Sequence, residues 1–257
     1  MRTVNGILFV AWVALLSLLL YINYYGSSPL SVKPHAVEKA FEKKTFWYDI
    51  YVKQKKIGYA STSYENVGNE IIIEDERRIK VKKDGKDSVL IGAIKSLCDA
   101  AFSIKSFEYH SYFEGEKGIT VRGNVEPDAV VFFLESSGKR KVHTIGIKNT
   151  TLYLPMTLMP VLIKQRPAPN SVFAVPLLDL VNLAIRESTV VLEEIRPLKI
   201  GMDVLSLYRL KTPDTIWWCN EMGYIVKEEH SNGMTLYSQV EGFAKDPAER
   251  TLFDYTS

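Results

Sequence analysis

The chain has 257 residues, 46% of them hydrophobic and 24% charged, enough for a sizeable buried core. Its 32 Lys and Arg nearly balance 30 Asp and Glu. That near-neutral balance excludes the concentrated basic face that nucleic acid requires, and polybasic adhesion to a membrane with it.

Residues Gly6 to Ile22 (GILFVAWVALLSLLLYI) carry no charge. Counted on through Tyr25 the run is about 20 residues, or roughly 30 Å of helix, which spans a hydrocarbon core. Tyr21, Tyr24 and Tyr25 cluster where an interfacial aromatic belt belongs. A cleaved signal peptide is the rival reading, but its only small-residue site, Gly26-Ser27-Ser28, follows bulky tyrosines. Arg2 favours a cytoplasmic N-terminus, whereas Lys33, Lys39, Lys43 and Lys44 on the far side count against it. A short N-terminal tail before a signal-like segment still favours export of the long C-terminal part. The expected divisions are a signal anchor over 1–25, a Pro-containing tether over 26–44, an extracytoplasmic β domain over 45–243 and a tail over 244–257.

From Thr45 the dominant period is two. Phe46, Tyr48, Ile50 and Val52 share one face, Lys53 to Lys56 form a polar turn, and Ile57-Gly58-Tyr59 opens the returning strand. In the next strand Ile71, Ile73, Ile79 and Val81 oppose Glu74, Glu76, Arg78, Lys80 and Lys82. Asp75 and Arg77 fall on its apolar face, as a strand-end salt bridge at an open rim or as a contact to a bound head group. Phe107, Tyr109 and Phe113 share the face of another strand, and further runs cover 118–125, 129–135, 140–147, 171–175, 189–195, 203–210, 214–218, 223–228 and 234–240. Many short strands with Gly, Pro and Asn punctuation mean a mostly antiparallel β sandwich, barrel or half-barrel. No internal repeat or low-complexity block divides it.

Leu152 to Gln165 (LYLPMTLMPVLIKQ) breaks the pattern. Thr157 as N-cap would put Pro160 in the first turn and leave Leu158 to Gln165 helical, with Arg166-Pro167 as the stop. A helix so apolar must be buried, which places Leu158, Met159, Val161, Leu162 and Ile163 against Phe107, Tyr109 and Phe132 on a concave sheet face.

No catalytic constellation emerges, so the expectation is a protein that is not an enzyme and has no cofactor. His35, His110, His143 and His230 are not spaced as metal ligands. Cys98 and Cys219 are a possible disulfide or two buried thiols.

Phe46 to Tyr59 (FWYDIYVKQKKIGY), Thr215 to Glu228 (TIWWCNEMGYIVKE) and Leu154 to Ile163 (LPMTLMPVLI) together resemble the β-rich domain that precedes the catalytic domain in some bacterial transglutaminase-like proteins, and related stand-alone envelope proteins of unknown function. Cys219 stands where that family often has an acid. The family's Cys-His-Asp catalytic domain would follow, but the sequence ends at Ser257 and no catalytic residue carries over. The resemblance implies a curved sheet or clam, a half-barrel like that of lipid-binding envelope proteins, wrapped on one short buried helix. Two roles follow for a single-pass inner-membrane protein whose domain lies in the bacterial periplasm. It binds a lipid or other hydrophobic ligand in a groove formed by Phe107, Tyr109, Phe132, Leu158, Met159, Leu162, Asp75 and Arg77. Alternatively, it is a scaffold that docks an envelope protein partner. A cavity of several hundred cubic ångströms favours the first and a filled core the second.

Overall fold

A computed structural model describes residues 30–32, 43–116, 118–148, 150–200 and 203–239. The expected anchor at 1–25 and tail at 244–257 lie outside these residues. Among the described residues no helix is long and apolar enough to cross a membrane.

The described residues open with the two-residue β1 (Leu30–Ser31) and from Lys44 run as an antiparallel meander. Its strands are β2 (Lys44–Val52), β3 (Lys55–Val67), β4 (Glu70–Lys83), β5 (Lys86–Asp99), β6 (Ile104–Phe113), β7 (Ile119–Val125), β8 (Ala129–Ser136) and β9 (Lys139–Gly146). Helix α1 (Pro155–Lys164) follows. A second meander comprises β10 (Val172–Asp179), β11 (Ala184–Ile200), β12 (Asp203–Lys211), β13 (Thr215–Cys219), β14 (Ile225–His230) and β15 (Met234–Ser238).

Among the described residues one open fifteen-stranded sheet results, because β15 pairs antiparallel with β2 and so joins the two meanders. At the far side of β10, β1 adds in parallel, so Leu30 and Ser31 of the expected tether belong to the sheet. Two-residue connections at Lys53-Gln54, Asp84-Gly85 and Ser137-Gly138 have positive φ at both positions, matching the right-handed twist of the flanking strands.

The alternation seen in the sequence is the alternation of burial. Tyr48 and Ile50 of β2, and Ile71 and Ile73 of β4, are buried while their neighbours remain partly accessible. β5 was not legible as a strand. Val89-Leu90-Ile91 is apolar at consecutive positions, and Ile91 is buried on the face opposite Leu90, so no period of two shows there.

The main core joins α1 to side chains from both meanders, including Ile73, Phe107, Phe132, Phe173, Leu192 and Trp217. Leu158, Met159 and Leu162 are fully buried. The expected helix start at Leu158 is corrected by three residues. Leu154 is the N-cap and Pro155 occupies the first helical position, where its fixed φ suits the helix and no amide partner is lost. Thr157 lies at the third position, and its hydroxyl accepts from the Leu154 amide at 2.9 Å. Pro160 therefore sits inside the helix and cannot donate to the carbonyl of Met156. The Tyr64 hydroxyl of β3 donates to that oxygen instead, at 3.3 Å. The helix ends at Lys164, with Arg166 in the left-handed region (φ 49°) before Pro167.

Candidate functional site

The N-terminal turn of α1 and the inner faces of β4, β5, β6, β13 and β14 enclose an open pocket of about 360 Å³. Its apolar wall includes Ile79, Leu90, Ile94, Tyr109, Met156 and Trp217. Along one side runs a row of polar groups that strand alternation points inward. Thr62 Oγ1 donates to Asp75 Oδ2 at 2.7 Å, and Arg77 Nε donates to Asp75 Oδ1 at 3.1 Å. Arg77 Nη2 then reaches Glu228 Oε2 of β14 at 3.2 Å. His230 Nε2 lies 2.9 Å from Glu228 Oε1, off the direction a hydrogen bond needs, while its Nδ1 meets Thr215 Oγ1 at 3.3 Å.

The row is charged despite its burial. The Asp75 and Glu228 side chains are each 7% exposed, and Arg77 is 29% exposed. Burial pushes the Glu228 carboxyl up, but Arg77 and His230 outweigh it and hold the group down at about 2. Burial likewise opposes the Arg77 charge, and Glu228 and Asp75 more than restore it. The buried Trp217 indole N–H faces Glu228 and also lowers its carboxyl, although its geometry falls short of a well-aligned hydrogen bond.

Gly92 of β5 lies opposite Arg77 and Ser111 in the pocket wall. A Cβ built there would meet no atom within 4 Å. Mid-strand glycine forgoes packing and often marks a close approach by a ligand or another backbone. Gly223 is the opposite case. Its φ is +81°, and a Cβ would fall 2.3 Å from Pro160 Cα, so glycine is there to admit the helix.

Of the groove residues expected from sequence, Asp75, Arg77 and Tyr109 line this pocket. Phe107, Phe132, Leu158, Met159 and Leu162 do not; they are packed into the main core, with Phe107 and Phe132 rings 5.6 Å apart. Asp75 and Arg77 also stand mid-strand rather than at a strand end, since β4 continues to Lys83. Gly92, Trp217, Glu228 and His230 were missed. Asp84-Gly85 was an available hairpin signal for β5 and hence for Gly92. Nothing local marks Glu228, whose partner is 151 residues away.

Cys98 and Cys219 are buried free thiols rather than the possible disulfide. Each packs within the main core as a small apolar group. Burial pushes the Cys98 thiol up to about 12 and raises that of Cys219 as well, against nucleophilic use. His110 Nδ1 meets Thr120 Oγ1 at 3.0 Å. Among the described residues no group of three His, Cys, Asp or Glu side chains could hold a metal ion. Larger hollows of about 490 and 510 Å³ are bordered by charged side chains such as Lys95, Glu108 and Arg122, and Lys55, Lys80 and Lys82.

No protein-family model and no curated protein matches the chain. Among solved structures it is similar to a β-barrel-like protein of a domain of unknown function (DUF1849) from Brucella abortus. The TM-score is 0.58 at 13% identity, over 78% of this chain and 97% of that one. A DUF1089 protein from Pseudomonas aeruginosa is also similar, at TM-score 0.38 and 9% identity over 77% and 95% of the two chains. The first likeness gives this chain a β-barrel-like fold.

Proposed function

We propose that this chain is a binding module that holds a lipid or other hydrophobic ligand and performs no catalysis of its own. The observation carrying this reading is the pocket of about 360 Å³ with an apolar wall, a side-chain-free floor at Gly92 and a charged row along one side. That combination of apolar lining with a few convergent polar groups is usual for small-molecule sites. A half-barrel is supported by arithmetic on the sheet. β14 and β4 are four places apart in strand order, about 19 Å if the sheet were flat, yet Arg77 bonds Glu228 directly.

The module is further proposed to be held at the bacterial inner membrane by the apolar 6–22 run, with its domain in the periplasm. Fractionation is expected to leave the full-length chain in membranes. Soluble mature protein beginning near Pro29 would overturn the anchor.

The ligand is tested with detergent-free residues 26–257, wild type and Gly92→Leu, by mass spectrometry of organic extracts. A Cβ at Gly92 meets no atom within 4 Å and opens into the pocket, so the variant is expected to fold normally and to lose a lipid that wild type carries. Equal extracts from both would defeat the pocket as the binding site. The scaffold reading would then gain, through the exposed edge strand β9 with its Arg140 and Lys141.

A further inference from the structure

Resting on the membrane-held binding module proposed above, we infer that the tips of the β2–β3 and β4–β5 hairpins form a basic docking surface, which sets the domain on the phosphate groups of an anionic lipid bilayer. Residues 53–56 and 80–87 hold seven lysines against two aspartates. Whole-chain neutrality speaks against such adhesion, but the fold overturns that expectation by gathering charge at two neighbouring tips. The strand register gives the reason. The β3–β4 ladder ends at Gly58–Ile79, while β2–β3 runs on to Val52–Lys55 and β4–β5 to Lys83–Lys86. In a longer β3–β4 ladder Lys55 would fall opposite Lys82, and like charges so placed are destabilising. The tips part instead. Between them lies an open cleft of about 510 Å³ lined by Lys55, Lys56, Lys80 and Lys82, with Asp87 and Glu114 as its acids.

Two of the seven lysines are neutralised within the domain: Lys56 pairs with Asp49 at 2.7 Å, and Lys83 pairs with Glu116. Lys53, Lys55, Lys80, Lys82 and Lys86 are exposed and make no ion pair among the described residues. By contrast Lys95 and Lys105, away from the tips, are held by Glu74 and Glu70. Each lysine brought to an anionic leaflet strengthens association about fivefold, and only within a Debye length. The surroundings select a bilayer as the occupant. Ile79 and Leu90 line the apolar pocket, and the next residues toward the tips, Lys80 and Val89, line the cleft. Contact at the tips therefore brings lipid to the end of the pocket. The domain is also kept close to its membrane. Leu30 pairs with Phe173, so the chain from the proposed anchor's end at Tyr25 to the sheet spans at most about 18 Å.

The test is lysine footprinting of the full chain in vesicles, made of phosphatidylcholine alone or of phosphatidylcholine mixed with phosphatidylglycerol. A membrane-impermeant acetylating reagent marks accessible lysines, and peptide mapping reads each one. On the anionic vesicles Lys53, Lys55, Lys80, Lys82 and Lys86 are expected to label about 3–10-fold less than on the neutral ones, and high salt should restore them. Lys95 and Lys105 should label equally on both. In Lys55→Glu/Lys82→Glu, a change confined to exposed side chains, the protection of Lys53 and Lys86 should disappear. Equal labelling of the tips on the two vesicles would overturn the inference, as would equal protection of Lys95 and Lys105. Protection that survives in the double variant would overturn it too. Should that variant not fold, the lipid and salt comparison on wild type still decides. Gly92→Leu, whose leucine enters only the pocket, should be protected like wild type. A failed lipid-extraction test with a protected tip would therefore sink the binding reading alone, and an unprotected tip with lipid still carried would sink the docking surface alone.

Discussion

At the scale of single residues, the chain repeatedly solves a backbone problem with a distant side chain. Pro160 removes a helical hydrogen bond in the middle of α1, and Tyr64, nearly a hundred positions earlier, supplies the missing donor to Met156 O. Tyr64 is 1% exposed, and burial raises its hydroxyl well above the ordinary tyrosine range, so it remains a donor. Tyr64→Phe is expected to destabilise the domain by about 1–3 kcal/mol, the cost of leaving a buried carbonyl unmade. In a Pro160→Ala background the new amide can take over that carbonyl, and the same tyrosine change should cost measurably less. Urea denaturation of the four proteins in the cycle checks this. A coupling of zero would mean that the hydroxyl does not serve the proline gap.

At the scale of elements, α1 shows what could and could not be read from sequence. Its existence, burial and stop were legible because eight nearly continuous apolar residues cannot remain in water. Its start was not. By local pattern the hydroxyl of Thr157 suits an N-cap, whereas Pro155 fixes the first helical position and Thr157 folds back on Leu154. Strands with one wet face were legible from alternation, as in β2 and β4. β5 escaped because both of its faces pack, and the pocket's open floor at Gly92 escaped with it. Asp75 and Arg77 stood out as charge on an apolar face, but their partner Glu228 is set by sheet order rather than local pattern. Leu162 is wholly buried in the core and does not line the pocket. Leu162→Ala should therefore cost about 2–5 kcal/mol and leave bound ligand largely unchanged. Thermal melting with parallel lipid extraction would show this. A variant that melts normally but loses ligand would transfer the helix from core to binding wall.

At the scale of the molecule, the Arg77–Glu228 pair ties the first meander to the second. Its pH dependence follows from the Glu228 carboxyl, held at about 2 against an ordinary 4.5. A depressed carboxyl contributes stability that is fully present above its unfolded value and is lost as pH falls through the folded one. Stability should thus fall between about pH 4.5 and pH 2. Glu228→Gln should lose on the order of 3 kcal/mol at pH 7, because Arg77 is left with one carboxylate, and should show a shallower acid limb. Urea midpoints measured from pH 7 to pH 2.5 give both quantities. Identical pH slopes for variant and wild type would remove Glu228 as a source of acid sensitivity.

The seam where β15 meets β2 also governs how the chain is made. Met234 pairs with Val52, so one edge of β2 has no partner until roughly 180 further residues have been synthesised. At about 5–20 residues per second, that edge waits on the order of 10–35 s. An unpaired strand bearing Trp47, Tyr48 and Ile50 is a ready template for pairing with another nascent chain. Slowing translation through the second meander should therefore lower the yield of correctly folded protein without changing the stability of the molecules that finish.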